Sequence, residues 1–161
     1  RMYLIGEYLG HSLSPQLHAL YGDHRYELRQ LKENGGYQVS DRIKAGASVC
    51  WMVTTDEQMS FKYKRTENGG FANCFPGLRR WLDYPHVASM ACPKAMLFIN
   101  GSQDKLFPVA GVEKAFGIMH DTWKSQHADN KLETEIWDIP HSCGLKAQAK
   151  VLEFFEKNLR F

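Results

Sequence analysis

The chain has no C-x-x-C pair: its four cysteines are Cys50, Cys74, Cys92 and Cys143, scattered through 161 residues. A thioredoxin-type redox motif and a ribbon-type zinc site both lack their signature. A chain of this length does not need a disulfide framework, so the four are expected as thiols in a reducing, cytoplasmic setting. Long apolar runs are also missing. The longest, such as Ala95–Ile99, has the length of a strand and not the ~20 residues of a membrane helix. Neither sign of charge is in excess, with 20 Lys+Arg against 18 Asp+Glu and a net charge of +2. That balance speaks against nucleic-acid and membrane partners. There is no G-x-G-x-x-G turn for a nicotinamide cofactor and no G-x-S-x-G turn for a nucleophilic serine. Internal repeats and low-complexity tracts are absent as well. The chain begins at Arg1 with no charged-then-apolar leader, and reads as trimmed at that end.

What is present is an ordinary globular composition, 43% hydrophobic and 24% charged, at a length that suits one domain. Met2–Ile5 reads as a strand, and Ser14-Pro15 as an N-cap with proline at the first helical position. Leu17, Leu20 and Tyr21 then share one helical face, and Tyr26–Leu31 reads as a second strand. Asn34-Gly35-Gly36 marks a turn or linker. Ile43–Val53 reads as a strand buried on both faces, and 54–76 as loop with one short helix. A short helical turn is expected over Gly77–Leu82. Further on, Ala95–Ile99 is a compact strand. Val109, Val112, Phe116, Met119 and Trp123 recur at helical spacing. Leu132–Trp137 alternates with period two, and Leu145, Leu152, Phe155 and Leu159 line one face of a last helix. Strand and helix in alternation predict an α/β fold with a mainly parallel sheet and flanking helices. Trp51, Trp81 and Trp123 are expected in the core, and Cys143 as packing.

Reactive groups in such sheets gather beyond the carboxyl ends of strands. Two loops stand there: Gly101-Ser102-Gln103-Asp104 after Ala95–Ile99, and Pro140-His141-Ser142 after Leu132–Trp137. They put an Asp and a His on neighbouring strand ends, where a carboxylate fixes the imidazole tautomer and stabilises the imidazolium. The alternative is that Asp104 caps the next turn and His141 makes a structural hydrogen bond. His11, His18 and His24 have no carboxylate or Cys to complete a set at ligand spacing, so no metal and no cofactor is expected.

Residues 40–161 resemble the C-terminal half of an α/β-hydrolase of the dienelactone hydrolase or prolyl-oligopeptidase-like kind. The matching pieces are SDRIKAGASVCWM, PKAMLFINGSQDKLFP and IWDIPHSCG ahead of a terminal amphipathic helix. The resemblance implies a partial hydrolase fold, ester-hydrolase chemistry on a small-molecule ester, Asp104 as triad acid and His141 as general base. The family's nucleophile would stand just before SDRIKAG, where this chain has RQLKENGGYQVSD. The nearest elbow-like turn is Gly10-His11-Ser12-Leu13-Ser14, which makes Ser12 a candidate nucleophile. Ser48 and Ser142 are the other serines expected near His141. With strands upstream of Ile43–Val53 missing, an exposed sheet edge predicts self-association.

Residues 2–31, MYLIGEYLGHSLSPQLHALYGDHRYELRQL, resemble the start of shikimate dehydrogenase. The resemblance implies that Ser12 and Ser14 hydrogen-bond a ligand carboxylate, beside a helix N-terminus that favours anions. The family's catalytic Lys–Asp segment does not occur here. On this reading the chain is a chimera: 1–31 of one origin, 32–39 a junction, 40–161 of another. The alternative to an esterase is a non-catalytic fused or truncated domain that retains carboxylate binding.

Overall fold

The computed structural model describes residues 2–6, 26–30, 43–60 and 77–159. The chain divides into two compact units, Arg1–Val39 and Ser40–Phe161. In the first, strands β1 (Met2–Gly6) and β2 (Tyr26–Gln30) pair in parallel, from Met2 opposite Tyr26 to Gly6 opposite Gln30. Both strands stand where the sequence predicts them. The helix expected after Ser14-Pro15, and Ser12 and Ser14 themselves, lie outside the described residues.

The second unit is built on a parallel sheet of order β3–β4–β5: Ala45–Val49, Ala95–Gly101 and Leu132–Trp137. The helices are α1 (Thr55–Gln58), α2 (Tyr84–Ser89), α3 (Val109–Ser125) and α4 (Leu145–Asn158). Single 3-10 turns occupy Leu78–Arg80 and Asp129–Lys131. No described helix is long and apolar enough to cross a membrane.

The central strand explains its own sequence. Phe98 points into a cluster with Met52, Val53, Val112, Phe116, Met119 and Trp123, the face covered by α3. Its neighbours Ala95, Leu97 and Ile99 point the other way, onto Phe154 of α4. A strand covered on both faces has no polar side to alternate with, hence the unbroken AMLFI run. On β5 the alternation is visible. Leu132 and Ile136 join the α3 cluster, while Glu133 and Glu135 turn to α4 and meet Lys157 (2.7 Å) and Lys150 (3.1 Å). Burial opposes ionisation of Glu135. The Trp137 indole N–H and Lys150 outweigh it and hold the carboxyl below its usual range.

Four expectations need correction. β3 stops at Val49, because Cys50 turns into the left-handed region at φ 53°. It is half-buried throughout, since only β4 pairs with it among the described residues. In α4 the inward residues are Ala147, Val151, Phe154 and Phe155, a stripe rotated about 100° from the predicted one. Leu145 and Leu152 are 77% and 54% exposed. The small Ala147 and the bulky Phe154 fit the sheet surface better than the branched leucines, a choice that periodicity alone does not make. Trp123 is fully buried, but Trp51 and Trp81 lie outside the core at 48% and 82% exposure. Cys143 is exposed, outside the core. Helix α2, which periodicity misses, opens on a capping box. Asp83 is the N-cap, His86 Nδ1 accepts from the Asp83 backbone N–H at 3.0 Å, and Pro85 lies in the first turn.

Candidate active site

Parallel strands deliver their carboxyl ends to one edge of the sheet, and the tight turn after β4 puts Asp104 there. The Asp104 N–H donates to the Gly101 carbonyl at 3.3 Å. Its side chain is completely buried and does two things at once. Oδ1 accepts the Leu106 backbone N–H at 2.7 Å, capping the next turn, and Oδ2 meets His141 Nδ1 at 2.8 Å. The turn-capping contact and the contact with the imidazole, alternatives at the level of sequence, therefore coexist on two oxygens of one carboxylate. His141 keeps 48% of its side chain exposed. An ionised carboxylate only accepts, so the Nδ1 proton lies in this contact and Nε2 carries the lone pair. The Phe107 ring, itself buried, packs at 5.8 Å from the imidazole.

The two loops are tied to each other as well as to the sheet. Ser102 N–H donates to Trp137 O at 2.7 Å and Gln103 N–H to Ile139 O at 3.2 Å. The Asp138 carboxylate accepts from the Ser102 hydroxyl at 3.1 Å and from the Gln103 amide at 2.8 Å. Gly101 is packed so closely under the second loop that a Cβ would meet Ile139 O at 2.2 Å. Asp104 and His141 are thus positioned largely by backbone contacts, which side-chain rotamers cannot loosen.

A third strand end joins them. Cys50, the residue after β3, is buried, and its N–H donates to Ile99 O at 2.6 Å. Its thiol donates to Ser142 O at 3.3 Å. The sulfur, an Asp104 carboxylate oxygen and a His141 ring nitrogen all lie within 4.8 Å of one another. Burial pushes the thiol up; hydrogen bonding to the Ser142 backbone works against this and the Asp104 carboxylate works with it. Cys50 is therefore a neutral thiol at neutral pH and no ready nucleophile. Iodoacetamide at neutral pH is expected to label exposed Cys143 at least about tenfold faster than Cys50, read by peptide mass spectrometry; equal rates would contradict the burial of Cys50.

Of the serines expected beside His141, Ser48 is engaged elsewhere. The Ser48 hydroxyl donates to Trp51 O at 3.4 Å, and Ser142 contributes its main-chain oxygen to Cys50. Among the described residues no serine hydroxyl hydrogen-bonds His141. Sequence reasoning missed Cys50, Gly101, Phe107 and Asp138. Cys50 was within reach of the strand-end rule, had the strand been ended at Val49.

No protein-family model matches the chain, and comparison with curated proteins finds no match. Two solved structures are similar to parts of the chain. Methylesterase BT1017 gives a TM-score of 0.52 at 17% identity, covering 75% of this chain and 26% of that one. A carbohydrate esterase family 15 (CE15) glucuronoyl esterase from Caldicellulosiruptor kristjansonii gives 0.46 at 16% identity, covering 49% and 21%. The chain thus spans about a quarter of the length of the methylesterase. None of the comparisons supports the resemblance of residues 2–31 to shikimate dehydrogenase. The described sheet, with its three parallel strands and flanking helices, has an α/β, α/β-hydrolase-like fold.

Proposed function

We propose that the second unit carries the acid and base of a serine-type ester hydrolase, with Asp104 as the acid and His141 as the general base. The 2.8 Å contact between buried Asp104 and half-exposed His141 carries the reading. In such a reaction Nε2 takes the proton of a serine hydroxyl as its oxygen bonds to the ester carbon. The imidazolium, stabilised by Asp104, then passes that proton to the departing alcohol. Water, deprotonated in turn by His141, cleaves the acyl-serine and restores the free hydroxyl. The substrate is a small-molecule ester.

A fluorophosphonate probe followed by peptide mass spectrometry tests this. One serine is expected to be labelled, about 100-fold more slowly in His141→Ala, the lower range of general-base contributions. Labelling at the same rate in both proteins, or none in either, would overturn the assignment.

A further inference from the structure

Beyond proton transfer, the three strand ends add to Asp104 and His141 a thiol, Cys50, that ester hydrolysis does not use. Elsewhere in this unit, several acidic side chains meet cations: Glu57 meets Lys114, Asp56 and Asp83 meet Arg79, and Glu133 and Glu135 meet Lys157 and Lys150. At the strand ends, by contrast, a sulfur, an imidazole nitrogen and a carboxylate oxygen converge within 4.8 Å. Thiolate, imidazole and carboxylate together match the borderline-soft preference of zinc. Bond lengths of about 2.3 Å to sulfur and about 2.0–2.2 Å to nitrogen and oxygen set tetrahedral ligand atoms about 3.5 Å apart. Asp104 and His141, at 2.8 Å, need to open slightly, and the sulfur to close by about 1 Å.

We propose that Cys50, Asp104 and His141 form a binding site for a thiophilic divalent cation, with water completing the tetrahedron on the exposed side of His141. Nδ1, the nitrogen already against Asp104, is the ligand atom. The thiol proton is released to solvent as the sulfur–metal bond forms. The Nδ1 proton moves through solvent to Nε2, so the ring stays neutral and has no lone pair left to act as a base. Cation binding itself stands whether or not the unit hydrolyses esters, and its test reads no activity.

Co2+ titrated into the full reduced chain is the probe. One equivalent is expected to produce thiolate-to-cobalt charge-transfer absorption, which Zn2+ then abolishes by displacement. Cys50→Ser removes the band and Cys143→Ser retains it. His141→Ala weakens Co2+ binding at least about tenfold, the lower end of what even an outer-shell partner costs. Circular dichroism of each variant shows that it is folded. Absence of the band in the wild-type chain, or its persistence in folded Cys50→Ser, overturns the proposal. If Cys50→Ser does not fold, an affinity unchanged in His141→Ala overturns it instead.

Discussion

A single methyl group on Gly101 is expected to unseat His141. In Gly101→Ala the new Cβ would stand 2.2 Å from Ile139 O and 3.0 Å from Pro140 O, both backbone atoms with no rotamer to change. The clash is relieved only if residues 139–140 retreat by about 1 Å, the difference from an ordinary carbon–oxygen contact. His141 follows directly in sequence and moves with them. A 2.8 Å contact lengthened by that much exceeds hydrogen-bond range. Overpacking of this kind costs about 1–3 kcal/mol, to be measured by urea denaturation. A misplacement of about 1 Å costs about 100-fold in reaction rate. Fluorophosphonate labelling is therefore expected to fall as it does in His141→Ala, although Gly101 has no side chain to contribute chemistry. An unchanged urea midpoint together with an unchanged labelling rate would mean that the loop gives way without moving the histidine.

Trp123→Ala is expected to be the most destabilising core truncation. Trp123 is fully buried on α3, within the cluster that holds that helix to β4, and its indole N–H donates to Lys94 O at 3.1 Å. Removing a buried Trp side chain costs about 3–5 kcal/mol, against a total stability of about 5–15 kcal/mol for a typical domain. Urea denaturation followed by circular dichroism is expected to show a midpoint shifted far down, or no folded baseline. Trp123→Phe retains most of the packing and loses the hydrogen bond, about 1 kcal/mol. Trp81→Ala, at an 82% exposed position, is expected within about 0.5 kcal/mol of the wild type. Equal losses at positions 81 and 123 would contradict the core as described.

The order of strands and helices was legible because burial leaves marks of fixed period. Phe116, Met119 and Trp123 repeat at helical spacing since one face of α3 is wet, and AMLFI runs unbroken since β4 has no wet face. The same periodicity misassigned α4, where two candidate stripes overlap at Phe155 and only the contour of the sheet chooses between them. Asp104 and His141 could be found because topology sends both to the same edge, and the structure joins them. Cys50 was hidden because the chain stays apolar through Met52 and Val53. The strand ends instead at a backbone reversal, φ 53° at Cys50, which residue type does not announce. A metal site drawn from residues 50, 104 and 141 has no short-range spacing at all, so no linear signature was there to read.

Asp104 and His141 are only 37 residues apart and come from consecutive strands joined by α3. That proximity makes the pair a cassette. Both members leave the ribosome within seconds of each other at about 5–20 residues per second, and closing so short a loop carries a small entropic cost. Their alignment depends on one crossover and on the stitches between two adjacent loops, with Cys50 adding a contact to Ser142 O. Insertion, replacement or shuffling ahead of β3 would leave the geometry of the pair intact.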